Sequence, residues 1–257
     1  MPAFIPLTPV GVRYADATID QLDDDHIDAL RVALGTHGVV VIPGQDVDDD
    51  AFLRFVRRFG ETVFTVGETP VPGRPELNVV TNVGRSRPPK SSFHTDTSYV
   101  SNPPAYTALR AVSVPERGGQ TLFTNQYAAY ASLPRHVREF LKGRTIKHVV
   151  TGVTPDGRQE SEATHPIFLV HPVSGNTALY MSTPERCAEI SGMSSEDAAA
   201  TVEYLFAHST RDDNVYRHAW APGDVVMWDN RCVLHKADHD GVVGDRVLHR
   251  GMVAASA

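Results

Sequence analysis

The sequence predicts a mainly β domain with helices at its flanks, built as an antiparallel sandwich or jelly roll. Most apolar segments are short runs of strand-forming residues, and only four segments repeat their apolar residues with a helical period. Strands and helices do not alternate as they do in a parallel sheet. The 257 residues contain no repeat, low-complexity tract or long linker, so a single domain spanning residues 1–257 is expected.

The N-terminal part predicts a helix, a strand and a second helix. "DDDHIDALRVALGTHG" has an apolar stripe of Ile27, Leu30 and Leu34, acidic residues in its first turn, and Gly35 as its expected end. "VVVIPG" then predicts a short buried strand. "DDDAFLRFVRRFG" predicts a second amphipathic helix, which Gly60 ends.

Strand-like segments dominate the rest of the chain. They are "LNVVTNV", "AYTALRAV", "QTLFTN", "TIKHVVT", "PIFLVHP" and "TALYMS", followed by most of the C-terminal tail. Two helices interrupt them. "LPRHVREFLKG" has Pro134 in its first turn and Gly143 at its end, and in "SSEDAAATVEYLFAHST" Ser194 and Asp197 resemble a capping box.

Charge and cysteine content narrow the classes of function. A formal net charge of −7 argues against non-specific nucleic-acid binding, although a local arginine cluster can still hold a small anion. Cys187 and Cys232 are too few for a disulfide framework, and the first residues lack the pattern of a signal peptide. No run is as long as a membrane span. We expect a cytoplasmic protein without nucleic-acid or membrane partners; its oligomeric state is left open, with a homo-oligomer among the expectations.

One short stretch suggests metal chemistry. In "SSFHTDTSYV", His94 and Asp96 are two residues apart among strand-forming residues. Side chains at i and i+2 of an extended strand point to the same face, so this imidazole and carboxylate are expected to reach one point. The pair predicts two metal ligands. Taken alone, the triplet leaves open a surface pair or a histidine hydrogen-bonded to a carboxylate.

The C-terminal segment offers the remaining residues of such a site. His235, in "WDNRCVLHKADHD", follows a strand-like run and is the candidate third ligand, whereas His239 is interpreted as a solvated loop residue. Eleven residues after His235, "DRVLHRGMV" places Arg246 and Arg250 on one face of a strand. These arginines either face water or, if buried, each need an anion, because an unpaired buried charge is costly. The pattern describes a metal held by two histidines and a carboxylate beside a receptor for a dicarboxylate.

The sequence resembles the taurine dioxygenase-like (TauD/TfdA) family of iron(II)- and 2-oxoglutarate-dependent oxygenases. The similar segments, in family order, are "FHTDTSY", "PPAYTALRAV", "GGQTLFTNQYAAYASLP", "HPVSGNTALYMS", "APGDVVMWDNRCVLH" and "DRVLHRGMV". The resemblance implies a double-stranded β-helix core, the cupin-like jelly roll. It also implies Fe(II) as the metal, 2-oxoglutarate and O2 as co-substrates, and oxidation of a substrate C–H bond, with hydroxylation as the expected outcome and release of succinate and CO2.

The resemblance also implies roles for single residues. His94, Asp96 and His235 match the family's metal ligands. Arg246 matches the arginine that binds the distal carboxylate of 2-oxoglutarate, and Thr121, in "GGQTLF", matches its assisting threonine.

A small anionic substrate is implied in the same way. Arg250 matches the arginine that contacts the substrate's anionic group in the taurine enzyme, with an internal Asp or Glu as the alternative partner. Trp228 stands where the family has a tryptophan near the iron, with a core aromatic as the alternative role. Lys90 is a candidate second contact to such an anion, with a solvated lysine as the alternative. The segment that carries an aromatic substrate contact in the taurine enzyme is "TPE" here, so taurine itself is not the expected substrate.

Two alternatives stay open at the level of sequence. The same oxidising chemistry can end in desaturation, cyclisation or oxidative cleavage instead of hydroxylation. A different class would be a jelly-roll metal hydrolase or ligand-binding protein. Such a protein would not need a 2-oxoglutarate receptor like Arg246 with Thr121, so these two residues separate the classes.

Overall fold

The computed structural model describes residues 3–65, 67–84, 91–151 and 160–255. Its helices are α1 (Asp24–His37), α2 (Asp49–Arg57), α3 (Gln126–Ser132), α4 (Arg135–Leu141) and α5 (Ser195–Ser209), with short 3-10 turns at Pro184–Arg186 and Asp212–Asn214. Its strands are β1 (Phe4–Pro6), β2 (Val12–Tyr14), β3 (Val39–Ile42), β4 (Thr62–Val63), β5 (Pro70–Val71), β6 (Arg74–Thr81), β7 (Pro104–Ser113), β8 (Thr121–Asn125), β9 (Thr145–Val149), β10 (Glu162–Pro166), β11 (Phe168–Val170), β12 (Thr177–Leu179), β13 (Cys187–Ile190), β14 (Val215–His218), β15 (Val225–Asp229), β16 (Val233–Ala237) and β17 (Val247–Ala254).

Two sheets form the centre of the fold. The larger sheet has the order β1-β2-β3-β15-β7-β17-β6-β5, with β4 paired to β17, and the smaller sheet has the order β14-β8-β16. Within the described ranges, the pairs of both sheets are antiparallel except β2–β3. From β14 onward, successive strands belong alternately to the smaller and the larger sheet. This is the connectivity of a jelly roll, so the predicted fold class is confirmed.

The facing sides of the two sheets bury one apolar cluster. Leu109 and Trp228 from the larger sheet meet Phe123 and Val233 from the smaller one. Side chains alternate between the two faces of a strand. Leu122, next to Phe123, therefore packs on the opposite side of the smaller sheet.

Helices α1 and α2 cover the outer face of the larger sheet. Leu30 and Leu34 of α1 and Phe52 of α2 share a cluster with Val40 and Met227 of the sheet. The apolar stripes predicted for both helices are therefore confirmed, and their burial orders the N-terminal part of the chain on the sheet.

The end of α1 differs from the prediction. Gly35 lies inside the helix, where a Cβ atom would come within 2.8 Å of Cε1 of His171, so this glycine permits close packing. The helix ends at Gly38, whose φ of 78° is in the left-handed region and whose N–H donates to the carbonyl of Leu34 at 2.8 Å. The sequence could not separate the two glycines, because both follow the apolar stripe.

A third layer covers the smaller sheet. Helices α3 and α5 and the sheet β10-β9-β13 pack over an apolar cluster that includes Leu122. Ser194 caps α5 as predicted, with its hydroxyl accepting from Asp197 N at 3.1 Å. Helix α3 is absent from the sequence-based predictions, because its seven residues are too few for a periodic pattern.

Two predictions about the whole chain can be compared with the fold. Cys187 and Cys232 are buried and free, as expected for a chain without a disulfide framework. Across residues 3–65, 67–84, 91–151 and 160–255, no helix is both long and apolar enough to cross a membrane.

Candidate metal centre

The three side chains predicted as metal ligands lie together. Nε2 of His94 and Nε2 of His235 are each 3.7 Å from Oδ1 of Asp96, and the two ring centroids are 4.3 Å apart. One donor atom from each residue lies within 4.8 Å of the other two. Asp96 and His235 are buried, whereas His94 is partly exposed. The cluster offers a metal ion two imidazole nitrogens and one carboxylate oxygen.

The backbone brings the two histidines together. The N–H of His94 donates to the carbonyl of His235, and the reverse bond also forms, both at 3.0 Å. Asp96 is placed differently from the prediction, because the chain turns after His94 and Thr97 has a φ of 48°. Strand alternation is therefore the wrong explanation for the His94–Asp96 contact. The turn and a hydrogen bond of 2.8 Å from Thr107 Oγ1 to Asp96 Oδ2 position the carboxylate.

The protonation states suit metal binding. Nδ1 of His94 lies 2.8 Å from the carbonyl oxygen of Ser92, so this nitrogen donates and Nε2 is the ring nitrogen that faces the cluster. Burial lowers the pKa of His235 to about 3, which keeps its ring neutral at pH 7. Burial acts to raise the pKa of Asp96, but its contacts with His235, His94 and the Arg250 guanidinium outweigh it and hold that pKa well below its usual value, so the carboxylate is ionised. The site presents two imidazoles, of which that of His235 is neutral, and one carboxylate.

A buried arginine lies beside this cluster. Arg246 is 1% exposed; its Nε donates to the carbonyl of Gly119 at 2.8 Å and its Nη2 to Thr121 Oγ1 at 3.1 Å. Its Nη1 is buried without a hydrogen-bond partner, and in the described part of the chain no carboxylate pairs with it. Burial lowers the pKa of Arg246 to about 10, so the side chain is still charged at pH 7. A buried cation with a free donor fits the carboxylate of a ligand.

The hydroxyl of Thr121 can donate a hydrogen bond to the same ligand carboxylate. Its Oγ1 accepts from Arg246 Nη2 at 3.1 Å and from Trp220 Nε1 at 3.0 Å. Both acceptor positions of the hydroxyl are then used, so its O–H is left to donate. Gly119 makes the arrangement sterically feasible, because a Cβ atom there would lie 2.9 Å from Cδ of Arg246.

Arg250 has protein partners in the structure. Its Nε donates to Asn78 Oδ1 at 3.0 Å and its Nη2 to Glu68 Oε1 at 3.1 Å. Its Nη1 lies 3.7 Å from Asp96 Oδ1, the same oxygen that faces the two histidines. Arg246 and Arg250 both line the cavity beside the metal cluster. Arg250 therefore sits at the edge of the cluster with an internal carboxylate, Glu68, on its outer side.

One cavity joins these groups. Its volume is about 250 Å³, and it is lined by His94, His235, Arg246 and Arg250, with Thr121 and Trp228 among the remaining lining residues. A cavity of this size, with several charged groups converging on it, suits small polar molecules.

Comparison with known proteins decides the family. The family model described as "Taurine catabolism dioxygenase TauD, TfdA family" matches residues 3–252. The chain belongs to this family. It is 31% identical to an alpha-ketoglutarate-dependent sulfate ester dioxygenase from Pseudomonas putida, over 91% of this chain and 82% of the relative. It is 29% identical to an alpha-ketoglutarate-dependent 2,4-dichlorophenoxyacetate dioxygenase from Cupriavidus pinatubonensis, over 95% of this chain and 94% of the relative.

A solved structure agrees with this assignment. A taurine dioxygenase from Burkholderia xenovorans superposes with a TM-score of 0.86 at 30% sequence identity, covering 99% of this chain and 91% of that one. The protein is accordingly an iron(II)- and 2-oxoglutarate-dependent dioxygenase. Between the two classes that the sequence leaves open, the family model and these relatives support the dioxygenase.

The donor groups of the dioxygenase fit its cofactor. Two imidazoles and one carboxylate with open positions are the ligand set of non-haem iron(II) oxygenases. 2-Oxoglutarate (alpha-ketoglutarate) is a dicarboxylate, and Arg246 Nη1 and the Thr121 hydroxyl can donate hydrogen bonds to one of its carboxylates.

Two of the sequence-based interpretations concern residues near the site. Lys90 lies outside the described residues, so its role stays a prediction. His239 follows β16, which is a strand, so a helical i, i+4 pair with His235 does not form. His239 is half-buried and lines the cavity, although it is not part of the three-residue cluster.

Four residues at the site were missed by sequence reasoning. Glu68, Thr107, Trp220 and Asn230 reach the site through contacts between distant strands and loops. Asn230 alone had a usable signal, because it lies in "MWDNR" two residues after Trp228.

A second cluster of potential metal ligands lies elsewhere in the dioxygenase. His171, Asp229 and Cys232 are all buried and close to one another. Nδ1 of His171 accepts from Val173 N at 3.2 Å, so Nε2 donates to Asp229 Oδ2 at 2.9 Å. Arg231 Nε also donates to Asp229, and burial raises the pKa of the Cys232 thiol well above its usual value. These groups satisfy one another, which fits a structural role for His171.

Proposed function

We propose that His94, Asp96 and His235 bind Fe(II), and that Arg246 and Thr121 bind the distal carboxylate of 2-oxoglutarate. The enzyme would hydroxylate a C–H bond of a small anionic substrate, converting 2-oxoglutarate and O2 to succinate and CO2 as one oxygen atom enters the substrate. The observation that carries the proposal is the buried guanidinium of Arg246. Its Nη1 has no hydrogen-bond partner, and Arg246 lines the same cavity as His94 and His235.

The protein's own part is to bind and orient. The iron, when bound, supplies the oxidation of the substrate C–H bond coupled to decarboxylation of 2-oxoglutarate. Asp96 offers only Oδ1 toward the histidines, because Thr107 holds Oδ2. His94 directs its Nε2 to the cluster by donating Nδ1–H to a backbone carbonyl. His235 is kept neutral by burial, so its lone pair is available without loss of a proton.

The charges at the site set a condition for the substrate. Arg250 already has two carboxylate neighbours, Glu68 at 3.1 Å and Asp96 at 3.7 Å, whereas the charge of Arg246 is left for the distal carboxylate of 2-oxoglutarate. An anionic substrate that binds Arg250 must therefore replace the anion already there. Glu68 is the replaceable partner, because its side chain is 39% exposed whereas that of Asp96 is 6% exposed.

The substrate class follows from this exchange. We infer a molecule with a carboxylate, sulfonate, sulfate or phosphonate that takes the place of Glu68 on Arg250. The relatives support this class, since their names specify a sulfate ester and 2,4-dichlorophenoxyacetate, both small anions. Lys90 stays a candidate for a second contact to the same anion.

Two measurements test the proposal. Addition of 2-oxoglutarate to the Fe(II)-loaded protein without O2 should produce a weak visible charge-transfer band, which reports chelation of the co-substrate by the iron. Succinate release should then be measured with a panel of small carboxylates, sulfonates, sulfate esters and phosphonates, each beside its uncharged analogue. Absence of the band would overturn the cofactor sites, and stimulation by the uncharged analogues alone would overturn the substrate class.

A further inference from the structure

A line of hydrogen bonds connects a tryptophan of the core to the carboxylate of the candidate metal cluster. Trp228 Nε1 is 3.0 Å from Asn230 Oδ1, Asn230 Nδ2 is 2.9 Å from Thr107 Oγ1, and Thr107 Oγ1 is 2.8 Å from Asp96 Oδ2. Trp228, Asn230 and Thr107 are at most 1% exposed. Water therefore does not compete for these bonds, and each buried polar group depends on the next one in the line.

The direction of every bond in this line is determined by chemistry. The indole N–H of Trp228 can only donate, so the Asn230 atom that faces it must be the oxygen. The amide nitrogen of Asn230 then faces Thr107 and donates to its hydroxyl oxygen. Thr107 consequently has its own hydrogen available, and Asp96 Oδ2 is the acceptor. The line therefore delivers a hydrogen-bond donor to one defined oxygen of Asp96.

The backbone holds the line in place. Trp228 of β15 and Thr107 of β7 are direct cross-strand partners in the larger sheet. Asn230 follows β15, and its backbone N–H donates to the carbonyl of Ala105 at 2.8 Å. The register of β15 and β7 thus fixes Trp228 and Thr107, and the backbone bond to Ala105 ties Asn230 to β7.

The two oxygens of Asp96 have different surroundings as a result. Oδ2 receives the Thr107 hydroxyl, whereas Oδ1 is 3.7 Å from Nε2 of both His94 and His235. A carboxylate free to rotate could turn both oxygens toward a metal and occupy two coordination positions. The hydrogen bond on Oδ2 opposes this rotation. Trp228 also supports the second histidine, since its ring packs 4.5 Å from that of His235 between centroids.

We propose that Trp228, Asn230 and Thr107 are positioning residues that make Asp96 a ligand through Oδ1 alone. A coordination position that a bidentate carboxylate would fill is then kept open for the co-substrates. This inference rests on the proposed metal assignment. Loss of a residue that orients a metal ligand weakens metal binding about 10- to 100-fold. The effect of removing one of these hydrogen bonds can therefore be measured as a metal affinity, without any substrate.

Co(II) is a suitable probe, because its visible d–d absorption changes with the number and geometry of its ligands. Thr107→Val removes the hydroxyl at almost constant volume. It should weaken Co(II) binding about 10- to 100-fold and alter the d–d spectrum, whereas Thr107→Ser should restore both.

Trp228→Phe keeps an aromatic ring against His235 but removes the N–H that fixes the Asn230 amide. It should change the spectrum in the same direction as Thr107→Val. Ser209→Ala, which removes a buried hydroxyl bonded within α5, is the matched control and should leave Co(II) binding unchanged.

Asp96→Ala separates the two proposals. If Asp96→Ala binds Co(II) like the wild type, the metal assignment fails. If Asp96→Ala loses Co(II) binding but Thr107→Val and Trp228→Phe keep the wild-type affinity and spectrum, the metal assignment stands and the positioning role is wrong. Should Thr107→Val fail to fold, the comparison of Trp228→Phe with the wild type decides the positioning role in the same way.

Discussion

Replacing Arg246 by methionine should weaken 2-oxoglutarate binding while leaving the metal site in place. The substitution keeps an unbranched apolar stem and removes the guanidinium with its free Nη1. A hydrogen bond to a charged group contributes about 1.5–3 kcal/mol, so the Kd of 2-oxoglutarate should rise about ten- to hundredfold. Thr121→Val removes one hydrogen bond to the same charged carboxylate and should raise that Kd about tenfold, at the lower end of this range.

Without 2-oxoglutarate, the free energy of unfolding of Arg246→Met should equal or exceed that of the wild type. Arg246 is buried, and in the described part of the chain no carboxylate pairs with its charge. Removing such a charge is often neutral or stabilising, here partly offset by the lost bonds to Gly119 and Thr121. A co-substrate at a hundred times its Kd adds about 2.7 kcal/mol to the free energy of unfolding, and a hundredfold weaker Kd reduces this to about 0.4 kcal/mol.

The assay combines two titrations. The visible band of the Fe(II)-loaded protein is followed as 2-oxoglutarate is added without O2, and thermal unfolding is measured with Mn(II) at increasing 2-oxoglutarate. Arg217→Met, at a partly exposed arginine paired with Asp212, is the control and should match the wild type in both. If Arg246→Met and Arg246→Ala both gave the wild-type titration curve, the reasoning would be refuted and Arg246 would be a structural charge.

Three further outcomes are expected. Alanine at His94, Asp96 or His235 should abolish iron-dependent turnover with little change in the melting temperature. Near-native activity of one of these variants at low iron would show that the replaced residue is not a ligand. Arg250→Ala should keep 2-oxoglutarate binding but release succinate with little hydroxylated product. Loss of 2-oxoglutarate affinity in this variant would show that Arg250 binds the co-substrate instead. Glu68→Gln should lower the KM of an anionic substrate, because it removes the carboxylate that competes for Arg250. Burial lowers the pKa of His148 to about 3, so the unfolded chain binds a proton there more readily below pH 6.5 than the folded protein does. The free energy of unfolding should therefore fall as pH drops from about 6.5 toward 3, and urea titrations of His148→Gln should show a smaller fall; an equal slope would assign the acid sensitivity to other groups.

Much of this protein could be predicted from residues that act locally. The apolar stripe of Leu30 and Leu34 and the cap at Ser194 depend on neighbours within one or two helical turns, so the sequence predicts them directly. The two-residue spacing of His94 and Asp96, a later His235 and the arginines beyond it predict a metal site with an anion receptor. These residue types have few other reasons to recur together in that order.

Contacts between distant segments required the tertiary structure. His94 and His235 meet through a single antiparallel bridge, Trp228 lies opposite Thr107 because of the register of β15 and β7, and Arg250 is paired with Glu68. None of these pairings has a local signature, since each depends on how whole strands pack and align. The same holds for the end of α1: two glycines follow its stripe, and only the space left beside His171 decides that the first is packed inside the helix and the second ends it.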